Sequence, residues 1–212
     1  MNKPGKLVVI SGPAGSGKGT VIKELFDLNE YKYSVSATTR LPRPGETDGL
    51  DYYFISKEEF LNKISNGEML EYVEYPGNYY GTLRKPVEEM LKKQYNVILE
   101  IEVEGALNIK EKFPEAIMIF ITPPTYSELE KRLRNRGTET EESISKRLER
   151  AKKEIYCIEQ YDYLVINETD LQKQAAFNIN FIVESELKEQ KSGENIINQE
   201  KAERFLQNYF NN

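Results

Sequence analysis

Residues 7–20 read Leu7-Val8-Val9-Ile10-Ser11-Gly12-Pro13-Ala14-Gly15-Ser16-Gly17-Lys18-Gly19-Thr20. An apolar, β-branched run feeds a glycine-rich turn with a lysine near its end, and Val21-Ile22-Lys23-Glu24-Leu25-Phe26 continues with helical spacing of its apolar residues. Strand, glycine loop, lysine and helix in that order make a phosphate-binding loop. Glycines let backbone N–H groups turn inward around phosphate oxygens with no Cβ in the way. Lys18 adds a mobile positive charge, and the following helix points its positive end at the anion. The loop predicts binding of a nucleoside triphosphate.

Working outward, further apolar runs at Asn96–Ile101, Ala116–Thr122 and Tyr163–Ile166 join Lys6–Ser11 as buried strands. Runs without polar alternation are what a parallel sheet covered on both faces produces. Helices are expected over Lys18–Leu28, Arg84–Gln94, Ala106–Lys112, Tyr126–Asn135, Glu141–Ile158 and Asp170–Leu187. Thr125 with Glu128 has capping-box spacing just after Pro123-Pro124. This alternation predicts an α/β, three-layer fold around a mostly parallel central sheet.

One segment breaks the rhythm. Residues 34–83 carry short tyrosine-rich stretches, Tyr33–Ser36, Tyr52–Ile55 and Leu70–Tyr75, around a helix at Lys57–Ser65 capped by Ser56 with Glu59. They read as a small, mostly antiparallel α+β subdomain inserted in a core of residues 4–33 and 84–186. Residues 187–212 form a charged tail in which Ala202, Phe205, Leu206, Tyr209 and Phe210 share one helical face. That face either docks on the body or joins two copies in a homo-oligomer.

Composition removes several chemistries. The 212 residues contain no histidine, which excludes His-based acid–base catalysis, Ser–His–Asp hydrolysis and His-ligated zinc. Cys157 is the sole cysteine, so no internal disulfide forms, as suits a reducing compartment. A net charge of −6 argues against non-specific nucleic-acid binding. No apolar run approaches the ~20 residues of a membrane span, and no secretory pattern precedes the loop, so a cytoplasmic protein is expected.

Thr38-Thr39-Arg40-Leu41-Pro42-Arg43-Pro44-Gly45-Glu46-Thr47-Asp48-Gly49-Leu50-Asp51-Tyr52-Tyr53-Phe54 sets two arginines three apart in a loop stiffened by prolines. Arginine's planar fork grips phosphate through two N–H bonds, and the Tyr52 phenol offers another donor. Together with Gly77-Asn78-Tyr79-Tyr80-Gly81-Thr82 and Arg136-Gly137-Thr138-Glu139-Thr140-Glu141-Glu142, this block resembles guanylate kinase, from about Lys6 to Ser185. The Gly-Lys-Gly-Thr loop ending is similar to nucleoside monophosphate kinases in general, including cytidylate kinases.

The resemblance implies ATP + GMP giving ADP + GDP, with Mg²⁺ accompanying ATP. By the same resemblance Gly12, Pro13, Ala14, Gly15, Ser16, Gly17, Lys18, Gly19 and Thr20 hold ATP, with Asn167 near its adenine. Arg40, Arg43, Tyr52 and Tyr80 hold the GMP phosphate, and Ser36, Glu71, Thr82 and Glu100 surround its guanine. The resemblance also implies Thr20 as a metal ligand and Glu102 as another, directly or through water. Arg132, Arg136 and Arg147 belong to a helical lid, residues 126–158, folding over the triphosphate, while Arg134 and Arg150 pair with nearby glutamates. Two alternatives stand beside this reading. One is a kinase for another nucleoside monophosphate, and the other a non-catalytic guanylate-kinase-like domain that binds a phosphorylated protein.

Overall fold

The computed structural model describes residues 5–26, 31–75, 77–135, 140–189 and 195–211. In chain order these give β1 (Leu7–Ser11), α1 (Lys18–Phe26), β2 (Tyr31–Tyr33), β3 (Ser36–Thr38), β4 (Tyr53–Phe54), α2 (Lys57–Ser65), β5 (Met69–Tyr75) and β6 (Asn78–Leu83). There follow α3 (Arg84–Lys92), β7 (Asn96–Glu100), α4 (Val103–Lys112), β8 (Ile117–Thr122), α5 (Tyr126–Arg134) and α6 (Glu141–Ile155). A 3-10 turn at Tyr156–Gln160, β9 (Tyr163–Ile166), α7 (Gln172–Leu187) and α8 (Gln199–Asn211) complete the order. The fold is mixed α/β with a mostly parallel main sheet of strand order β2-β7-β1-β8-β9.

The described residues divide into two compact units, the first within Met1–Val8 and Glu30–Ala116, the second within Val9–Asn29 and Ile117–Asn212. β1 starts in the first and ends in the second. In the first unit β2 pairs β7 in parallel, Tyr31 opposite Asn96 and Tyr33 opposite Ile98. A second sheet of order β4-β3-β6-β5 lies in the same unit. Its β3–β6 and β5–β6 pairs are antiparallel and its β3–β4 pair parallel. Ala37, Phe60 and Met69 are buried beneath it, with Tyr53, Ile55, Ile64, Tyr79 and Leu83 packed around them. The α2 helix starts where expected, because the Ser56 side chain accepts the Glu59 N–H.

In the second unit β8 pairs β9 in parallel, from Ile119 opposite Tyr163 to Thr122 opposite Ile166. Every residue of β8 is buried. α1 packs on α7, burying Val21, Ile22 and Leu25 against a face that includes Ala175, Ala176, Ile179 and Val183. Leu129, Leu133, Ile144, Leu148 and Ala151 join α5 and α6 in a cluster that also takes in Ala14 and Tyr126. Among the described residues no helix is long and apolar enough to cross a membrane.

The Tyr33–Ser36 stretch divides between the sheets: Tyr33 ends β2 in the main sheet, and Ser36 starts β3 in the other. One expectation is corrected. The α4 helix begins at Val103, three residues before the expected Ala106, with Gly105 inside its first turn. Helix propensity disfavours glycine there, but Gly105 meets a tertiary demand described below.

Candidate active site

The phosphate loop belongs to the second unit. β1 delivers Ser11, the loop turns through Gly12, Gly15 and Gly17 at positive φ, and α1 begins at Lys18. Gly17, at φ +85°, has no room for a side chain, since a Cβ would overlap Asn167 Nδ2. The Lys18 ammonium donates to Gly12 O at 2.6 Å and Pro13 O at 3.3 Å, so it lies back along the loop. Ser11 Oγ, Ser16 Oγ and Asn167 Oδ1 are buried with no hydrogen-bond partner among the described residues. Buried polar atoms are ordinarily satisfied, so three around one loop mark a cradle built to receive further polar atoms.

Asn167, just past β9, braces this loop rather than standing open. Its Nδ2 donates to Ser16 O at 2.8 Å, and its backbone N–H donates to Thr122 O at 2.9 Å. Its carbonyl accepts from Arg132 Nη2 at 2.9 Å. Arg132 also donates through Nε to Glu128 Oε1 at 3.0 Å and through Nη2 to Thr169 Oγ1 at 3.1 Å. The Thr169 hydroxyl and then Arg132 hold the Glu128 carboxyl below the usual carboxylate range. Helical spacing could reveal the Arg132–Glu128 pair, but the bonds to Asn167 and Thr169 are visible only in the fold.

Thr20 is exposed on the first turn of α1, and Arg147 is half-buried on α6. Arg136 lies outside the described residues. Arg134 pairs with Glu130 at 2.8 Å and Glu141 at 2.7 Å, and Arg150 pairs with Glu154 at 2.6 Å, which keeps both with glutamates as the sequence suggested.

In the first unit Arg40, Tyr52 and Tyr80 come together. The Arg40 guanidinium lies 5.3 Å from the Tyr52 ring centroid and 5.6 Å from that of Phe54. The Tyr52 and Tyr80 rings meet edge to face at 6.1 Å. Burial and the Glu100 charge push the Tyr52 phenol up to about 12, so it stays a hydrogen-bond donor at neutral pH. Sequence reading passed over Glu46. Its two oxygens accept from Arg40 Nη1 and Nη2 at 2.7 and 2.8 Å, and Oε2 also accepts the Arg43 N–H at 2.7 Å. These bonds, led by Arg40, lower its carboxyl to about 2. Glu46 thus fixes the guanidinium and closes the turn carrying Arg43, which is itself exposed.

Ser36, Thr82 and Glu71 form a row across β3, β6 and β5. Ser36 stands opposite Thr82, and Thr82 opposite Glu71. All three are buried. The Thr82 hydroxyl donates to Glu71 Oε1 at 2.7 Å. Oε2 lies against α4, where a Cβ on Gly105 would sit 2.5 Å from it, which explains a glycine inside that helix. Burial pushes the Glu71 carboxyl up to about 7, against the opposing pull of Thr82 and Lys112. A buried acceptor pair of this kind favours a ligand that brings two adjacent donors.

Glu100 ends β7 half-buried and accepts from Tyr33 OH at 3.4 Å. Glu102 is the N-cap of α4, and Glu104 is exposed. No group of three or more Asp, Glu or Cys able to hold a metal occurs among the described residues. A hard cation held mainly by other oxygens needs only one or two protein ligands, and the exposed Thr20 hydroxyl and the Glu102 carboxylate are oxygen donors suited to that.

Comparison with known proteins matches a family model described as "Guanylate kinase" over residues 4–206. The chain is 53% identical over 188 residues to a guanylate kinase of Streptococcus thermophilus, covering 88% of this chain and 89% of that one. It is 51% identical over 184 residues to a guanylate kinase of Streptococcus pneumoniae, covering 86% of this chain and 88% of that one. Among solved structures, guanylate kinase from Anaplasma phagocytophilum superposes with a TM-score of 0.71 at 33% identity, covering 97% of this chain and 98% of that one.

Proposed function

The chain belongs to the guanylate kinase family, and from that membership we propose the roles of its residues in phosphoryl transfer from ATP to GMP. The enzyme converts ATP and GMP to ADP and GDP, and nothing in its relatives favours another monophosphate or a non-catalytic binding domain. The observation that carries the residue assignment is the buried Glu71–Thr82 pair, with Ser36 in register beside it. Guanine presents N1–H and an exocyclic amine side by side, and a carboxylate offers two acceptors at matching spacing. Adenine presents a lone pair at N1, so Glu71 would face an acceptor with an acceptor. Leaving buried polar groups unpaired is how such a site rejects the wrong base. Glu100, set by Tyr33, completes the base pocket.

Arg40, Arg43, Tyr52 and Tyr80 grip the GMP phosphate. Arg40 enters already oriented by Glu46 and the two aromatic faces, so little rotamer entropy remains to be lost on binding. On the ATP side the loop from Gly12 to Thr20 takes the β- and γ-phosphates, and Asn167 holds the loop's shape through Ser16. Lys18 leaves its loop carbonyls for the phosphates, exchanging weak neutral acceptors for charged ones. Arg132, Arg136 and Arg147 supply positive charge to the transferring group.

The attacking GMP phosphate oxygen is already anionic. No general base is required, and a chain without histidine loses nothing. Catalysis is positioning, charge neutralisation and exclusion of water. Magnesium bound with ATP would supply neutralisation of charge on the phosphates; Thr20 would be its ligand on the loop, and Glu102 is a second candidate ligand, directly or through water.

Glu71→Gln tests the assignment. The amide puts a donor against a guanine donor, which costs about 2–4 kcal/mol, or roughly 30- to 1000-fold in kcat/KM for GMP. Residual activity with AMP falls far less, because the phosphate grip is untouched. Steady-state kinetics with both nucleotides reads the ratio, and an unchanged GMP-to-AMP ratio moves base recognition away from Glu71.

A further inference from the structure

The family model ends at residue 206, and α8 continues past it. Tyr209, on that last turn, is 1% exposed. Its hydroxyl lies 2.8 Å from Thr122 Oγ1, a fully buried pair at the end of β8. Its ring packs on Phe205 at 4.9 Å and Phe210 at 5.4 Å, while Phe210 stacks on Tyr156 at 5.5 Å and leans on Tyr126 of α5 at 5.4 Å. Part of the tail's apolar face thus packs within the second unit: Ala202 and Tyr209 are buried, and Phe205, Leu206 and Phe210 are half-buried.

Thr122 is not an arbitrary anchor. Its carbonyl accepts the Asn167 N–H at 2.9 Å, and Asn167 in turn holds Ser16 of the phosphate loop and Arg132 of α5. Four hydrogen bonds, all inside one unit, thus link the Tyr209 phenol through Thr122 to Asn167 and from there branch, one to Ser16 and one to Arg132. A bond from α8 reaches the nucleotide cradle without touching nucleotide.

We propose that Tyr209 is a positioning residue for the ATP side of the reaction, its hydroxyl fixing the Thr122–Asn167 link that sets the phosphate loop and Arg132. This rests on the reading of that loop as the ATP site. Burial raises the Tyr209 phenol to about 12, while the Thr122 bond and the Arg132 charge pull the other way, so the hydroxyl keeps its proton across the working range.

The test uses the full chain and the variants Tyr209→Phe, Thr122→Val, their double combination and Asn167→Ala. Losing one hydroxyl leaves the other buried and unpaired, whereas losing both leaves two apolar groups in contact. Tyr209→Phe is expected to raise KM for ATP by about three- to tenfold with KM for GMP unchanged. In the double variant the melting temperature returns toward wild type, yet KM for ATP stays raised because the link is still absent. A KM for ATP unaffected by Tyr209→Phe, or restored together with stability in the double variant, overturns the proposal and leaves a purely structural hydroxyl. Asn167→Ala separates the two claims. If it raises KM for ATP while Tyr209→Phe does not, only the role of Tyr209 falls; if it has no effect, the loop-bracing reading of Asn167 falls first.

Discussion

Burial lifts the Glu71 carboxyl to about 7, where an exposed glutamate sits near about 4.3. Between those values the folded chain holds a proton that the unfolded chain has released, so stability falls as pH rises across this window and then levels off. The loss is on the order of 3 kcal/mol. Glu71→Gln therefore melts higher than wild type at pH 8, and the gap closes as pH approaches about 4.5; calorimetric scans across that range read it directly. Guanine donors favour the ionised form, so kcat/KM for GMP relative to AMP rises through about pH 7 in wild type. The AMP reference removes the ionisation of the nucleotide phosphate itself, and the rise is absent in Glu71→Gln. The neighbouring anion site yields a second residue-level expectation. Arg43→Lys keeps charge but loses the fork, weakening GMP affinity about tenfold with ATP affinity unchanged. Titration calorimetry with each nucleotide checks it, and an equal loss for both would remove Arg43 from the monophosphate site.

Elements differ in how plainly they announce themselves. β1, β7 and β8 were legible as uninterrupted apolar runs, and each is buried except at the terminal Glu100 of β7. β2 and β3 were not, because each is three residues long and their residues divide between two sheets over Ser34-Val35. β6 carried the Gly77–Thr82 motif but no strand signal, since Asn78, Tyr79, Tyr80, Gly81 and Thr82 lack apolar alternation; its edges are set by β3 and β5. The early start of α4 was hidden by Gly105, whose missing side chain makes room for Glu71 of β5, distant in sequence but packed directly against it. The Asn167 brace and the Glu46 clamp were likewise illegible, being contacts made by tertiary approach or by a tight turn. Cap chemistry, by contrast, is local. Thr125 Oγ1 accepts the Glu128 N–H at 3.1 Å as its spacing suggested. Thr125→Ala is expected to lower stability by about 1 kcal/mol, read as a reduced urea midpoint with unchanged slope. A change well above that would mean the cap also holds Pro123-Pro124 and the Arg132 helix in place.

At the scale of the whole molecule, a chain with net charge −6 has the cations proposed to bind phosphate in two places. Lys18 and Arg132 lie in the second unit, Arg40 and Arg43 in the first. Each set is held by hydrogen bonds or ion pairs within its own unit, as the Lys18–Gly12 and Arg40–Glu46 contacts show. On the proposed assignment the triphosphate and monophosphate functions rest on separate elements, one on a glycine loop and the other on a small sheet. The loop was readable from spacing alone, whereas the choice of guanine needed the family resemblance, because a lone Glu71 on an edge strand otherwise reads as a surface charge. On the proposed assignment the phosphate loop and the Glu71 row serve one reaction with one preferred acceptor. ADP release from ATP, measured with GMP, dGMP, AMP, CMP and UMP in turn, is the deciding measurement. Rapid release is expected with the guanine nucleotides, and kcat/KM lower by several orders of magnitude with the other three. Comparable rates with AMP, CMP or UMP would overturn that assignment.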